Sequence, residues 1–140
     1  MEKIIFDSGM KQYKINGGGV LQFNPSDPNV YARFLEALEK LKDMEKELAQ
    51  PTQGIDAVKL LQQADQKMKQ LLSWVFGPQN DFEKLLGGVS LLALAGNGQR
   101  VVTNLFVALE PVLEQGAKAC AAQQVDTAVT AAKMRRQSQC

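Results

Sequence analysis

Polar and apolar side chains alternate twice near the start of the chain. Lys11-Gln12-Tyr13-Lys14-Ile15 does so clearly and Val20-Leu21-Gln22-Phe23 more loosely. A period of two is the pattern of a strand with one covered face. Between the two runs, Asn16-Gly17-Gly18-Gly19 supplies residues that accept positive φ, which a tight hairpin turn needs. Residues 1–24 are therefore expected to form a β-hairpin. A lone hairpin is marginal in water, so it must lie on the helices or on another subunit. The glycines do not read as a phosphate loop, because no Gly-Lys-Ser/Thr follows and the next element is a strand.

The period then changes to three and four. Asp27 is placed to cap a helix and Pro28 to open it, since proline loses nothing at the first helical position. Tyr31, Phe34, Leu38, Leu41 and Leu48 mark one face of a helix over 28–50, with Glu45 at the one polar seam position. Glu36 and Lys40 form a favourable i,i+4 pair on the other side. Pro51 to Gly54 breaks the chain. A second helix over 55–76 carries Val58, Leu61, Met68, Leu72 and Val75, with Asp65 in its gap. Two such seams joined by a short loop predict an antiparallel helical hairpin. Glu45 and Asp65 are the first places to seek a partner's Lys or Arg.

Gly77-Pro78 ends the second helix, and Asp81 or Asn80 caps a short helix over 81–95, interrupted at Gly87-Gly88. Gly96-Asn97-Gly98 is a turn. A last helix over 99–132 carries Val102, Leu105, Phe106, Leu109 and Leu113, with a kink expected at Pro111. It becomes rich in Ala and Gln toward its end. Residues 133–140 read as a flexible polar tail. The expected fold is one domain over 1–132, mainly α: a β-hairpin, an antiparallel helical hairpin and two or three further helices in a small α+β bundle.

The chain has 140 residues, with 16 basic against 15 acidic side chains and no histidine. The charge balance gives no global attraction to nucleic acid or to an anionic membrane. Absence of histidine removes the commonest general base and the commonest metal ligand. Two distant cysteines, Cys120 and Cys140, make neither a zinc site nor a disulfide framework, and read as reduced thiols of a cytoplasm. The acids of the first two helices read as a solvated face. We therefore expect no enzyme, no catalytic residues, no cofactor and no metal. Ile4, Ile5 and Phe6 are far short of a signal peptide's apolar stretch of roughly 7–15 residues. No run approaches the about 20 apolar residues of a bilayer span, so no membrane association is expected. Lys133, Arg135 and Arg136 form too small a basic cluster for a nucleic-acid footprint. Tyr13 and Phe23 could stack on bases, but core or interface contact is the better reading.

The apolar seams exceed the core that so short a chain can close, and exposed apolar patches mark interfaces. The candidate partner-contact residues are Tyr31, Phe34, Leu38, Leu41, Met68, Leu72, Trp74 and Phe76.

Two blocks of residues carry a resemblance. One is Tyr13-Lys14-Ile15-Asn16 with Phe23-Asn24-Pro25-Ser26-Asp27-Pro28-Asn29-Val30-Tyr31-Ala32-Arg33-Phe34. The other is Val75-Phe76-Gly77 with Leu86-Gly87-Gly88-Val89 and Asn104-Leu105-Phe106-Val107-Ala108-Leu109-Glu110-Pro111. Together they span most of residues 11–116 and resemble small proteins of the tail gene clusters of Gram-positive tailed phages and prophages, described as tail assembly chaperone-like. The resemblance implies a non-catalytic morphogenesis factor in the host bacterial cytoplasm or associated with the virion. It would bind tape-measure or tail-tube protein through apolar helical surfaces, as a homo-oligomer or alone. The alternatives are a structural tail component, whose hairpin joins a neighbour's sheet by edge pairing, and a phage regulator or inhibitor of a host protein.

Overall fold

The computed structural model describes residues 1–49 and 53–138, with side chains as far as residue 122. Two strands, β1 (Lys11–Lys14) and β2 (Val20–Phe23), form an antiparallel hairpin in which Lys11 faces Phe23 and Tyr13 faces Leu21. Asn16 at φ 49° and Gly17 at φ 75° make the turn. Both values lie in the left-handed region that Asn and Gly tolerate, as a type I′ turn requires. The hairpin is shorter than the expected 1–24, because the first ten residues pair with nothing in the sheet.

The four helices among the described residues are α1 (Pro28–Leu48), α2 (Ile55–Phe76), α3 (Phe82–Leu85) and α4 (Val101–Ser138). Local chemistry places most of these ends. The Asp27 carboxylate accepts the Asn29 amide at 2.9 Å, with Pro28 in the first turn. Gly77 at φ 116° ends α2, and the Asp81 carboxylate accepts the amides of Glu83 and Lys84. The expected i,i+4 pair forms, with Lys40 Nζ 3.8 Å from Glu36. The molecule is the small α+β bundle that the patterns predict.

Three expectations need correction. The helix over 81–95 is only Phe82–Leu85. Gly87 at φ 62° and Gly88 at φ 78° turn the chain out of the helix. Residues 91–95 then bond to the start of α4: Val102 N–H to the Leu91 carbonyl, Val101 N–H to Ala93, and a bridge between Leu94 and Arg100. The Ala95 amide, which a helix would direct to the Leu91 carbonyl, donates instead to the Gln99 carbonyl at 2.7 Å. The last helix is not confined to 99–132. It begins at Val101, passes Pro111 without ending, and takes in residues 133–138 of the expected tail. Pro111 is exposed and deprives only the carbonyl of the exposed Val107, which water can serve. Ala, Lys, Arg and Gln are good helix formers, and basic residues near a helix C-terminus suit its dipole. Gln139, Cys140, and the end of the expected first helix at Gln50 lie outside the described residues, as does Pro51.

The core lies where the hairpin meets α1, α2, α3 and the first half of α4. Leu21, Phe23, Met68, Leu72, Val75, Phe82, Leu91 and Leu113 are the largest fully buried side chains. Each contributes about 1.5–3 kcal/mol. Tyr13, Phe23, Phe76 and Phe82 form a run of ring contacts with centroids 5.2, 4.8 and 5.9 Å apart. Phe34 on α1 meets Phe106 on α4 at 5.4 Å. Backbone approaches closely at Gly116, where any Cβ would run into the Pro25 carbonyl, so α4 lies directly on the junction between β2 and α1.

Candidate protein-contact site

The two polar seam positions are resolved differently. Asp65 is buried within α2. Its Oδ1 accepts the Leu91 amide at 2.7 Å, and its Oδ2 lies 2.9 Å from Lys69 Nζ. The same ammonium donates to Glu83 Oε2 at 2.6 Å. Burial on its own would lower the Lys69 pKa, but the hydrogen bonds and charges of Glu83 and Asp65 outweigh it and hold it above the ordinary lysine value. An ammonium committed to two carboxylates is neither a base nor a nucleophile at neutral pH. The cluster joins α2 to α3 and to the segment that replaces the expected helix, so the partner sought for Asp65 lies in this chain. A cleft of about 340 Å³ beside it is lined by Gln66, Gln70, Ser73 and Asp81.

Asn80 performs a second internal closure that the sequence gives no sign of. Its side-chain amide donates to the Gln22 carbonyl at 2.9 Å and to the Phe76 carbonyl at 3.0 Å, while its oxygen accepts the Gln22 amide at 2.9 Å. A single buried side chain thus takes the place of a third strand on the outer edge of β2 and ties it to the end of α2.

Glu45 is exposed and has no salt-bridge partner among the described residues. It stands at the rim of a groove of about 220 Å³ between α1 and α4. Leu38, Leu41, Phe106 and Val107 supply apolar lining, and Lys42, Glu45 and Glu110 supply charge. Val107 is 65% exposed. Its position, off the main seam of α4, hides it in the sequence; only the placement of α4 beside α1 brings it into the groove that Leu38 also lines.

Of the eight expected contact residues, Phe34, Leu41, Met68, Leu72 and Phe76 are core side chains, each at most 5% exposed. They are corrected from surface to interior, apart from the part of Leu41 that lines the groove. Their 3–4 spacing faces the opposite helix rather than solvent. Tyr31 and Leu38 are half-buried against that core. Trp74 is exposed, with Lys40 Nζ 5.1 Å from its ring centroid. Val58, expected in the α2 seam, is exposed near the start of the helix. The side chains of Lys133, Arg135 and Arg136 lie outside the described residues. Among the described residues, no helix is long and apolar enough to cross a membrane.

Comparison with known proteins returns no family model, no curated protein and no solved structure that matches the chain.

Proposed function

We propose that this protein is a non-catalytic assembly factor of a phage tail, acting in the host bacterial cytoplasm by binding the tape-measure or tail-tube protein. The observation that carries the reading is the α1–α4 groove: apolar lining between two helices, with Glu45 and Glu110 at its border. Such a groove fits an amphipathic helix that lays apolar residues at i, i+3 and i+4 into it. Two carboxylates against the single ammonium of Lys42 leave the lining net acidic, which favours a ligand helix with Lys or Arg flanking its apolar ridge, since complementary rim charge steers and orders such contacts. The resemblance of residues 11–116 to tail-cluster proteins supplies the class of partner.

Co-purification of the full chain with the tape-measure and tail-tube proteins of the phage that encodes it tests the reading. Retention of a tape-measure fragment, weakened about tenfold or more by Val107→Asp, supports it. Val107 is exposed, so this change leaves the core intact. Absence of binding to both proteins in the micromolar range overturns it. Recovery of the chain from purified particles would instead make it a tail component.

A further inference from the structure

We infer that the first seven residues are a docking arm, which adds as a strand to the open edge of β1 in a second copy of the chain. Three features meet. First, Ile4, Ile5 and Phe6 are 90%, 88% and 75% exposed. They follow a fixed exit from the body: Gly9 has φ +75°, its amide bonds to Asp7 Oδ1, and Asn24 Nδ2 donates to the Ser8 carbonyl. An Ile-Ile-Phe run held clear of its own domain has strong strand propensity and no cover.

Second, the two edges of the hairpin differ. The amide and carbonyl of Gln22 both go to Asn80, which stops the β2 edge. Gln12 pairs with Gln22 and Lys14 with Val20 in the same ladder. In an antiparallel pair, residues opposite one another turn their backbone groups the same way, both inward or both outward. Gln12, like Gln22, therefore presents its N–H and C=O away from the hairpin, and so does Lys14. Among the described residues nothing engages them. An unpaired edge is a template for another strand.

Third, a hollow of about 470 Å³ adjoins this edge, lined among others by Lys11, Tyr13, Pro25, Val112, Gly116 and Ala119. Lys11 and Tyr13 share the inner face of the sheet with Phe23 and Leu21, their ladder partners. A strand added to β1 would set alternate side chains over the hollow, and Ile4 and Phe6 have that spacing. Charge agrees with this occupant. The edge carries Lys11 and Lys14, whereas Glu2 and Asp7 flank the apolar run with one lysine, Lys3, between them. The surface is separate from the α1–α4 groove, so the two readings fail independently.

The test is the mass of the full chain in solution across the micromolar range, by light scattering or sedimentation. The expected result is at least twice the 15.4 kDa of one chain, falling to the monomer in Ile4→Asp/Phe6→Asp and in Gln12→Pro. The arm variant changes only exposed residues. Proline at Gln12 removes an outward amide and no ladder bond, and unchanged circular dichroism and melting verify that each variant folds. A monomeric wild-type chain overturns the inference. If that monomer shows slowed hydrogen exchange over residues 4–6, the arm closes its own edge instead. A wild-type oligomer untouched by the arm variant, or broken by the arm variant but not by folded Gln12→Pro, places the contact elsewhere and also overturns it.

Discussion

In α1 the apolar stripe is interrupted by Glu45, and in α2 by Asp65, each a carboxylate where an aliphatic side chain would continue the seam. The helices are of nearly equal length, 21 and 22 residues. Yet Asp65 is buried between an ammonium and a backbone amide, and Glu45 borders an open groove. The difference comes from what lies opposite. Across from Asp65 runs the 87–92 segment, whose glycine turn leaves the Leu91 amide in need of an acceptor, and one helical turn away stands Lys69. Across from Glu45 lies α4, which offers Phe106, Val107 and Glu110 but no cation. A polar residue in an apolar stripe therefore marks either an internal clasp or an exposed rim, and the stripe does not say which.

The comparison breaks first at Asp65→Ala. Removing the carboxylate leaves the Leu91 amide without its acceptor and Lys69 with only the half-exposed Glu83. Breaking one partner of a buried pair costs about 3–5 kcal/mol. We expect a melting temperature lower by about 10 °C or more in calorimetry. Asp65→Asn, which keeps an oxygen for Leu91, should recover part of the loss. A near-neutral Asp65→Ala would show that the cluster holds nothing together.

Alkali gives the next largest effect. The folded state raises the Lys69 pKa, so it binds this proton more tightly than the unfolded chain. The stabilisation is fully present below the unfolded lysine value of about 10.4 and is lost as pH rises through the folded value. Urea midpoints measured upward from neutral pH should fall across that window. Lys69→Met should lose this component of the fall while keeping the loss common to other lysines. Equal slopes in both proteins would remove the cluster's electrostatic role.

Glu83→Gln should be milder, about 1 kcal/mol or less, because its side chain is 58% exposed and solvent screens the pair. Smallest of all is the effect of Glu45→Lys on stability, within about 0.5 kcal/mol by denaturant titration. Its consequence should fall on binding: weaker capture of a basic amphipathic helix, with reduced salt dependence. A large destabilisation by Glu45→Lys would mean that the groove is a packed part of the core and would undo the contrast with Asp65.

Much of the architecture is legible from short stretches. Asn16-Gly17 specifies the hairpin turn, Asp27-Pro28 the start of α1, Gly77-Pro78 the end of α2, and Asp81 the start of α3. The period of three and four marks α1 and α2 to within a few residues. Less of the candidate site is legible. The seam residues of α1 and α2 are mostly interior, since the same spacing serves a neighbouring helix in the chain as well as one from outside. Val107 and Glu110 enter the site only by adjacency to α1. The run 89–95 is as apolar as a helix core but is drawn into turns by Gly87-Gly88 and by the donors and acceptors of Asp65, Val101 and Val102.

The sequence by itself determined what depends on neighbours a few positions away: turn chemistry, caps, breaks and the period of each helix. These follow from φ preferences and from side chains that reach only their own backbone. The tertiary structure alone decided which apolar residues are enclosed, that Asp65 and Asn80 close internal polar groups, and that Glu45 and the β1 edge stay open. Burial and hydrogen-bond satisfaction belong to surfaces brought together from distant parts of the chain, and a residue's own neighbours in sequence do not encode what will cover it.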